Sequence, residues 1–424
     1  MARTVQTTGG LTMKTLLQIN PVLRKSTSTG RIMQEIGDLA MANGWKSYVA
    51  YSRGRDGNMQ STSIPVPVGD RMSVAWHGLV TRLADRHGLA SDRATRQFIK
   101  DVERIDPDVI HIHNIHGYFL NYRILFDYLS RSGKPVIWTV HDCWLYTGHC
   151  YYYTAAGCDR WKTGCGHCPQ RNRFPASWLI DRSGGNWEDK RTAFTSMPKD
   201  RLVIVPVSEW IREEMSSSFL KDYRFEVIHN GIDTETFTIY DGTSVRKKYG
   251  LENRRVILGA ASIWTPEKGL GDFIGMSGRL RGNEMIVLVG LSPEQIKGLP
   301  RNILGISRTD NVRELAALYS AADVFVNPTW QDNYPTVNLE AISCGTPVVT
   351  YRTGGSPESV APGTGYVVAP GDISGILDAV RRIGDAGKTG YSEACRRHAL
   401  ANFRKEDRYA DYLELYDGLV SVKH

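Results

Sequence analysis

Two carboxylates eight positions apart, Asp332 and Glu340, stand in the run Asn327-Pro-Thr-Trp-Gln-Asp-Asn-Tyr-Pro-Thr-Val-Asn-Leu-Glu-Ala-Ile-Ser-Cys-Gly-Thr-Pro-Val-Val. An apolar strand ends at Asn327, and a loop brings Asp332 to its carboxyl edge. Pro335 suits the first turn of the following helix, where its missing N–H would be orphaned in any case. Free N–H groups near Thr336 and Val337, with Asn338 in the same turn, then face an anion, and the helix dipole assists them. Glu340 lies a turn further in, on a helix that stops at Gly345 before Pro347. The two carboxylates bracket a phosphate-sized site, Asp332 placed for sugar hydroxyls and Glu340 for ribose hydroxyls. An isolated pair of this kind is more often a cap and a solvated glutamate; the surrounding motifs reverse that weighting.

Other residues extend the same chemistry. Lys268 follows the turn-forming Pro266 and precedes Gly269, which suits an ammonium held as a point charge on phosphate. His141 closes the apolar strand Val136–Val140, where a neutral imidazole can contact a sugar. Of the histidines around the strand Val109–His113, His113 is placed at the cleft and His111 in the core. Asp106-x-Asp108 only leads into that strand at its amino end, so catalysis requires no divalent metal. Cys150, Cys158, Cys165 and Cys168 fall within 19 residues. Cys165-x-x-Cys168 has the spacing of one edge of a tetrahedral zinc site, while Cys150-x7-Cys158 is wider than usual. A structural zinc, unligated thiols and disulfides all remain open, with His149 and His167 as substitute ligands.

These groups need strand ends to hold them. Apolar, β-branched runs recur at Leu16–Ile19, Tyr48–Tyr51, Val109–His113, Val136–Val140, Leu202–Val207 and Glu226–Ile228, with helical periodicity between them. A second series runs Val256–Ala261, Met285–Gly290, Ile303–Ile306, Val324–Asn327, Pro347–Tyr351 and Tyr366–Val368. Such repetition predicts two parallel, doubly wound α/β sheets with a ligand between them. The polar stretch Thr238–Asn253 is the hinge. The expected units are a leader over 1–12, disordered; a first Rossmann-like domain over 13–237; a second over 246–399; and a terminal helix over 400–424 packing back on the first domain.

Composition narrows the class. Of 424 residues 41% are apolar and 23% charged, so the chain can bury two cores and is not disordered. Lysine and arginine number 52 against 45 acids, a formal charge of +7. That balance suits a phosphate-rich ligand or an anionic membrane surface, and no basic block points to nucleic acid. Residues 1–12 carry one charge and no apolar core, so they do not read as a signal peptide. A cytoplasmic location with reduced cysteines is therefore expected. Neither G-x-x-x-x-G-K-[ST] nor a strand-to-helix G-x-G-x-x-G occurs, which argues against a P-loop nucleotidase and a dinucleotide dehydrogenase.

Acid-x7-Glu followed by Ala-x-x-x-Gly-x-Pro-Val resembles the signature of the retaining glycosyltransferases of family 4. Ile228-His-Asn-Gly-Ile-Asp233, Pro266-Glu-Lys-Gly269, Ala322-Asp-Val-Phe-Val-Asn-Pro328 and Val140-His-Asp142 resemble further segments of that family, in order. The segment Trp138–Cys168 resembles enzymes of bacterial capsule, colanic-acid and exopolysaccharide assembly. The resemblance implies the GT-B fold, a nucleotide-diphosphate sugar donor, and retention, with an acceptor-side domain over 13–237 and a nucleotide-sugar-binding domain over 246–399. It implies catalytic roles for Lys268, Asp332, Glu340 and His141, and donor contacts from Thr336, Val337, Asn338, Gly269 and Asn230. The acceptor is then a saccharide or a lipid-linked oligosaccharide, with peripheral contact at the inner membrane. Three features depart from the pattern. Asp332 replaces the commoner Glu; Ala261-Ser-Ile-Trp264 lacks an arginine; and Ser26-Thr-Ser-Thr-Gly-Arg31 replaces a glycine-rich first loop, its Thr29 and Gly30 assigned to the acceptor side. A non-catalytic nucleotide-sugar-binding or scaffold protein would share the fold.

Overall fold

The computed structural model describes residues 13–24, 27–54 and 61–421. The leader over 1–12 and Ser26 of the first loop lie outside them. Seven strands form the first sheet: β1 Thr15–Ile19, β2 Lys46–Tyr51, β3 Ile64–Pro67, β4 Val109–Ile112, β5 Val136–Val140, β6 Leu202–Pro206 and β7 Arg224–Phe225. Six form the second: β8 Arg255–Ala260, β9 Glu284–Val289, β10 Ile303–Ile306, β11 Val324–Asn327, β12 Val348–Tyr351 and β13 Gly365–Val368. The spatial orders are β3-β2-β1-β4-β5-β6-β7 and β10-β9-β8-β11-β12-β13. Every pairing is parallel. Helices cover both faces, so central strands such as β5 and β11 are buried along their whole length and read as unbroken apolar runs. In each sheet the order reverses between the first strand and the fourth, β1 and β4 in one and β8 and β11 in the other. That reversal opens a crevice at the carboxyl ends.

Two strand expectations shift. β3 carries Pro65 and Pro67 and escapes a β-propensity reading; it is tolerated because it pairs only with β2, at the sheet edge. The run Glu226–Ile228 follows β7 and does not form it. Pairing with β6 nevertheless continues there: Glu226 N–H donates to Ile204 O at 3.0 Å and Ile228 N–H to Pro206 O at 3.1 Å.

The terminal helix Lys405–Ser421 lies on the first sheet's side. Tyr409, Tyr412 and Tyr416 are buried among Leu16, Ile32, Ile36, Val109 and Ile137. Burying one large apolar side chain stabilises by about 2 kcal/mol. The phenols also find partners, since a buried hydroxyl left unpaired is costly. Tyr416 Oη lies 2.6 Å from His111 Nδ1, and Tyr412 Oη lies 3.0 Å from Thr139 Oγ1. Among the described residues no helix is long and apolar enough to cross a membrane.

Candidate active site

The carboxyl ends of the two sheets enclose a cleft of about 520 Å³. Lys268, Asp332, Thr336, Val337, Glu340 and Asn230 line it, facing Thr29, Arg31, His141, Asp142, Tyr151 and Tyr152.

On the second-sheet side, β11 ends at Asn327 and the chain loops to the helix Thr336–Ser343. Pro335 stands one position earlier than its sequence suggested: it is the N-cap, with φ −69° and ψ 114°. Among the described residues the Thr336 and Val337 N–H groups have no acceptor, so both remain open to the cleft. Asn338 does not join them. Its N–H bonds to Pro335 O at 3.1 Å, and its buried side chain accepts from Asn327 Nδ2 at 2.9 Å and donates to Ser359 Oγ at 3.0 Å. It fixes the strand-to-helix turn from behind.

Lys268 ends a single helical turn, Pro266–Lys268, and its Nζ lies 2.6 Å from Asp332 Oδ2. The two side chains assigned to phosphate and sugar are thus paired with each other. Gly269 is absent from the cleft wall. Its φ is +80°, and a Cβ there would stand 2.3 Å from Pro328 O, so glycine permits the close crossing that aims Lys268.

Glu340 is 5% exposed and accepts from Arg31 Nη2 at 3.3 Å and from Tyr319 Oη at 3.1 Å. Burial raises its carboxyl above the usual range, against the pull of Arg31. Arg31 comes from the helix Ser28–Ala42 that follows β1, so this ion pair links the two halves. Gly30 is packed away from the cleft, where a Cβ would meet Arg24 O at 2.4 Å. Arg31 and Tyr319 were not among the expected site residues. The spacing of 309 residues between Arg31 and Glu340 leaves no local signal.

On the first-sheet side, His141 follows β5 and reaches the cleft, while His113 sits behind it, 1% exposed. His113 Nε2 lies 3.0 Å from Gln18 Oε1, and His113 Nδ1 lies 3.2 Å from His141 Nε2. With the Gln18 oxygen accepting, His113 carries its proton on Nε2. Its Nδ1 then accepts from His141 Nε2–H, which leaves His141 Nδ1 as a hydrogen-bond acceptor. Burial lowers His141 to about 4, against the raising effect of Asp142. The imidazole is therefore neutral at ordinary pH. Asp142 accepts from His116 Nε2 at 2.8 Å and from Trp144 N–H at 2.9 Å. Burial alone would raise this carboxyl; His116 and the Trp144 N–H hold it below its usual value.

The halves also touch beside the cleft. Asn333 Nδ2 donates to His141 O at 2.7 Å. The Glu358 carboxylate accepts from the N–H groups of Glu209 and Trp210, each at 2.8 Å, where a carboxylate favours a helix N-terminus. The four clustered cysteines lie off the cleft and line one small cavity together. Among the described residues no three His, Cys, Asp or Glu side chains form a ready-made metal site.

Comparison with known proteins agrees with this geometry. Residues 30–236 match the model of Glycosyltransferase Family 4, and residues 254–385 match that of Glycosyl transferases group 1. A protein of Escherichia coli (strain K12), provisionally designated colanic acid biosynthesis glycosyl transferase WcaC, is 24% identical, covering 95% of this chain and 100% of its own. The sucrose-phosphate synthase of Thermosynechococcus elongatus superposes with a TM-score of 0.71 at 16% identity, over 96% of this chain and 100% of its own. HepE of Anabaena, solved with UDP and glucose, superposes with a TM-score of 0.67 at 16% identity, again over 96% and 100%. The architecture is GT-B, two Rossmann-like sheets facing across a cleft.

Proposed function

We propose that this chain, which belongs to glycosyltransferase family 4, moves a sugar from a nucleotide-diphosphate donor to an acceptor hydroxyl, with retention, in the assembly of a cell-surface polysaccharide. The observation that carries this reading is the meeting of Lys268, Asp332, Glu340 and two open helix N–H groups with a neutral His141 across one cleft.

Each group has a task that its surroundings support. Lys268 and the Thr336 and Val337 N–H groups face the diphosphate and stabilise the charge that grows on it as the glycosidic bond breaks. Asp332 already holds Lys268 in place and accepts from sugar hydroxyls. Glu340 accepts from the ribose hydroxyls, with Arg31 and Tyr319 fixing its carboxylate. His141 Nδ1, aimed by the His113–Gln18 relay, accepts from a hydroxyl of the transferred sugar. The acceptor approaches past Asp142, Tyr151 and Tyr152, and the leaving phosphate helps to take its proton in a same-face displacement. Among solved proteins of this fold, HepE holds UDP and glucose, which supports a nucleotide sugar as the partner here.

For a lipid-linked oligosaccharide acceptor, the first domain carries a surface suited to the inner membrane from the cytoplasmic side. Met72, Trp76, Leu79 and Leu83 are exposed on the helix Arg71–Ala84, with Trp178, Leu179 and Ile180 also exposed. Trp178 N–H bonds to Arg82 O at 2.7 Å, so the two segments are continuous, and Arg71 and Arg82 add positive charge.

A screen of UDP-, GDP- and ADP-sugars by thermal shift and donor hydrolysis tests the reading. One donor should stabilise the protein and be turned over. Saturable donor binding with no hydrolysis or transfer to any saccharide acceptor would favour a non-catalytic sensor instead.

A further inference from the structure

The chain between β5 and the helix Ser183–Phe194, residues 141–182, is irregular except for three single helical turns, Cys143–Leu145, Thr154–Ala156 and Arg160–Lys162. Ordering so long a segment costs conformational entropy, and its own backbone bonds are mostly short-range turns. An aromatic cluster supports part of it: Trp161 lies 4.8 Å from Tyr146 and 5.1 Å from Tyr153 between ring centroids. Beside that cluster is a cavity of about 20 Å³, lined by Cys150, Cys158, Cys165 and Cys168. None of the four is in a disulfide.

We propose that these four cysteines bind one zinc ion that closes the loop into a folded unit. The inference is independent of the donor chemistry and rests on three observations. First, four cysteines spread over 19 residues line one cavity the size of an ion or a single water, without yet forming a ready-made site among the described residues. Second, the loop already aims a donor at one of the sulfurs. Gly148 N–H donates to Cys165 Sγ at 3.2 Å. Such an N–H can stay on the sulfur once the sulfur binds a metal.

Third, a buried lysine stands beside the cluster with no carboxylate bonded to it. Lys190 is 1% exposed, and its Nζ donates to Trp144 O at 2.6 Å and Thr147 O at 2.8 Å. It also sits 3.5 Å from the centroid of the Trp144 ring. Among the described residues it makes no ion pair with a carboxylate; the groups that favour its charge are Cys165 and Cys150 first, then Asp142 and Asp85. Neutral thiols offset none of that charge. Four thiolates around a divalent ion carry two net negative charges, and an adjacent ammonium is then compensated.

An all-sulfur set selects a soft or borderline ion, and tetrahedral zinc is the common structural choice. The four sulfurs must close in further to reach ligand distance, and the turns that carry them can move. Gly157, Gly164 and Gly166 have φ of +58°, +143° and +155°, and a Cβ at each would meet nothing within 4 Å. On binding, each thiol loses its proton to solvent and a zinc–sulfur bond of about 2.3 Å forms. A closed four-sulfur site leaves no position for substrate. Its effect on the reaction is indirect: the same loop carries Tyr151 and Tyr152 into the cleft wall.

The test is metal analysis of the full chain purified under reducing conditions without added zinc or chelator, with native thiol titration beside it. The expected result is about one equivalent of zinc, with the four loop thiols unreactive until a chelator removes the metal. Cobalt(II) added to the stripped, reduced protein should give sulfur-to-metal charge-transfer absorption, and Cys168→Ser should weaken it. Should Cys168→Ser fail to fold, the wild-type zinc content and thiol protection still decide the matter. Less than about a tenth of an equivalent, with all four thiols titrating in the folded protein and no zinc taken up on re-addition, would overturn the proposal. Loop disulfides in place of metal, with no zinc uptake after reduction, would overturn it equally.

Discussion

The two halves of this molecule share a strand order but not a way of building a site. The second half concentrates its chemistry in one continuous stretch, where a strand end, a loop acid and a helix start follow each other from Asn327 to Glu340. The first half spreads its polar groups over separate strand ends and buries them. Nine of the eleven histidines lie there, and His77, His87, His111, His113 and His141 are all driven toward the neutral form by burial. The lesson is about division of labour. An anion site needs open N–H groups and charge on a short, rigid turn, whereas a wall that contacts neutral hydroxyls needs oriented, uncharged donors and acceptors.

The largest expected consequence is a difference in acid sensitivity. A histidine held neutral in the fold binds its proton more readily once unfolded. Its contribution to stability is therefore complete above the unfolded value near 6.5 and is lost as the pH falls toward the folded value. Those folded values are about 3 for His77 and His111 and about 4 for His141. At pH 5 each such group costs about 2 kcal/mol relative to neutral pH. His149 works in the opposite sense, because Asp85 raises it against burial. Hydrogen exchange at pH 5 should show β1, β4 and β5 losing protection before β8, β11 and β12. Equal loss in both sheets would remove the distinction between the halves.

The next effect is catalytic and belongs to the second half. Lys268→Ala and Glu340→Ala should each lower turnover about a hundred- to thousandfold, or 3–4 kcal/mol, with the fold intact by circular dichroism. Folded variants with wild-type turnover would discard the phosphate and ribose assignments. Asp332→Asn should cut transfer by about a hundredfold and weaken free nucleotide far less, because the sugar contact is lost while the helix start is kept. A collapse of nucleotide affinity would exchange the roles of Asp332 and Glu340. Restoring the commoner acid with Asp332→Glu tests whether the Lys268 pairing has adjusted to the shorter side chain.

The smallest effect sits in the first half. His113→Ala removes the group that fixes the His141 tautomer, and transfer should fall about tenfold with nucleotide affinity unchanged. Unchanged transfer would make His113 a packing residue.

These contrasts also explain what the sequence could reveal. Most strands were legible because parallel, doubly covered strands are continuous apolar runs; β5, β10 and β11 fall where those runs do. β3 was hidden by two prolines that only an edge position permits. Lys268, Asp332 and Glu340 were legible as a local pattern, and all three line the cleft. Gly269, Gly30 and Asn338 belong to the same motifs yet serve the turns behind the site, a distinction that spacing cannot express. The Arg31–Glu340 pair joins two helices and the Gln18–His113–His141 relay joins three strands or their exits, so only the folded sheets bring them together.

If the second half holds the nucleotide while the first half completes the transfer, the two functions should separate by mutation. The decisive comparison is calorimetric binding of the free nucleotide diphosphate together with transfer rate, for His141→Ala and Lys268→Ala. His141→Ala should bind nucleotide like the wild type but lose transfer, whereas Lys268→Ala should lose both. Wild-type transfer by folded His141→Ala, or nucleotide binding weakened equally in the two variants, would contradict that division.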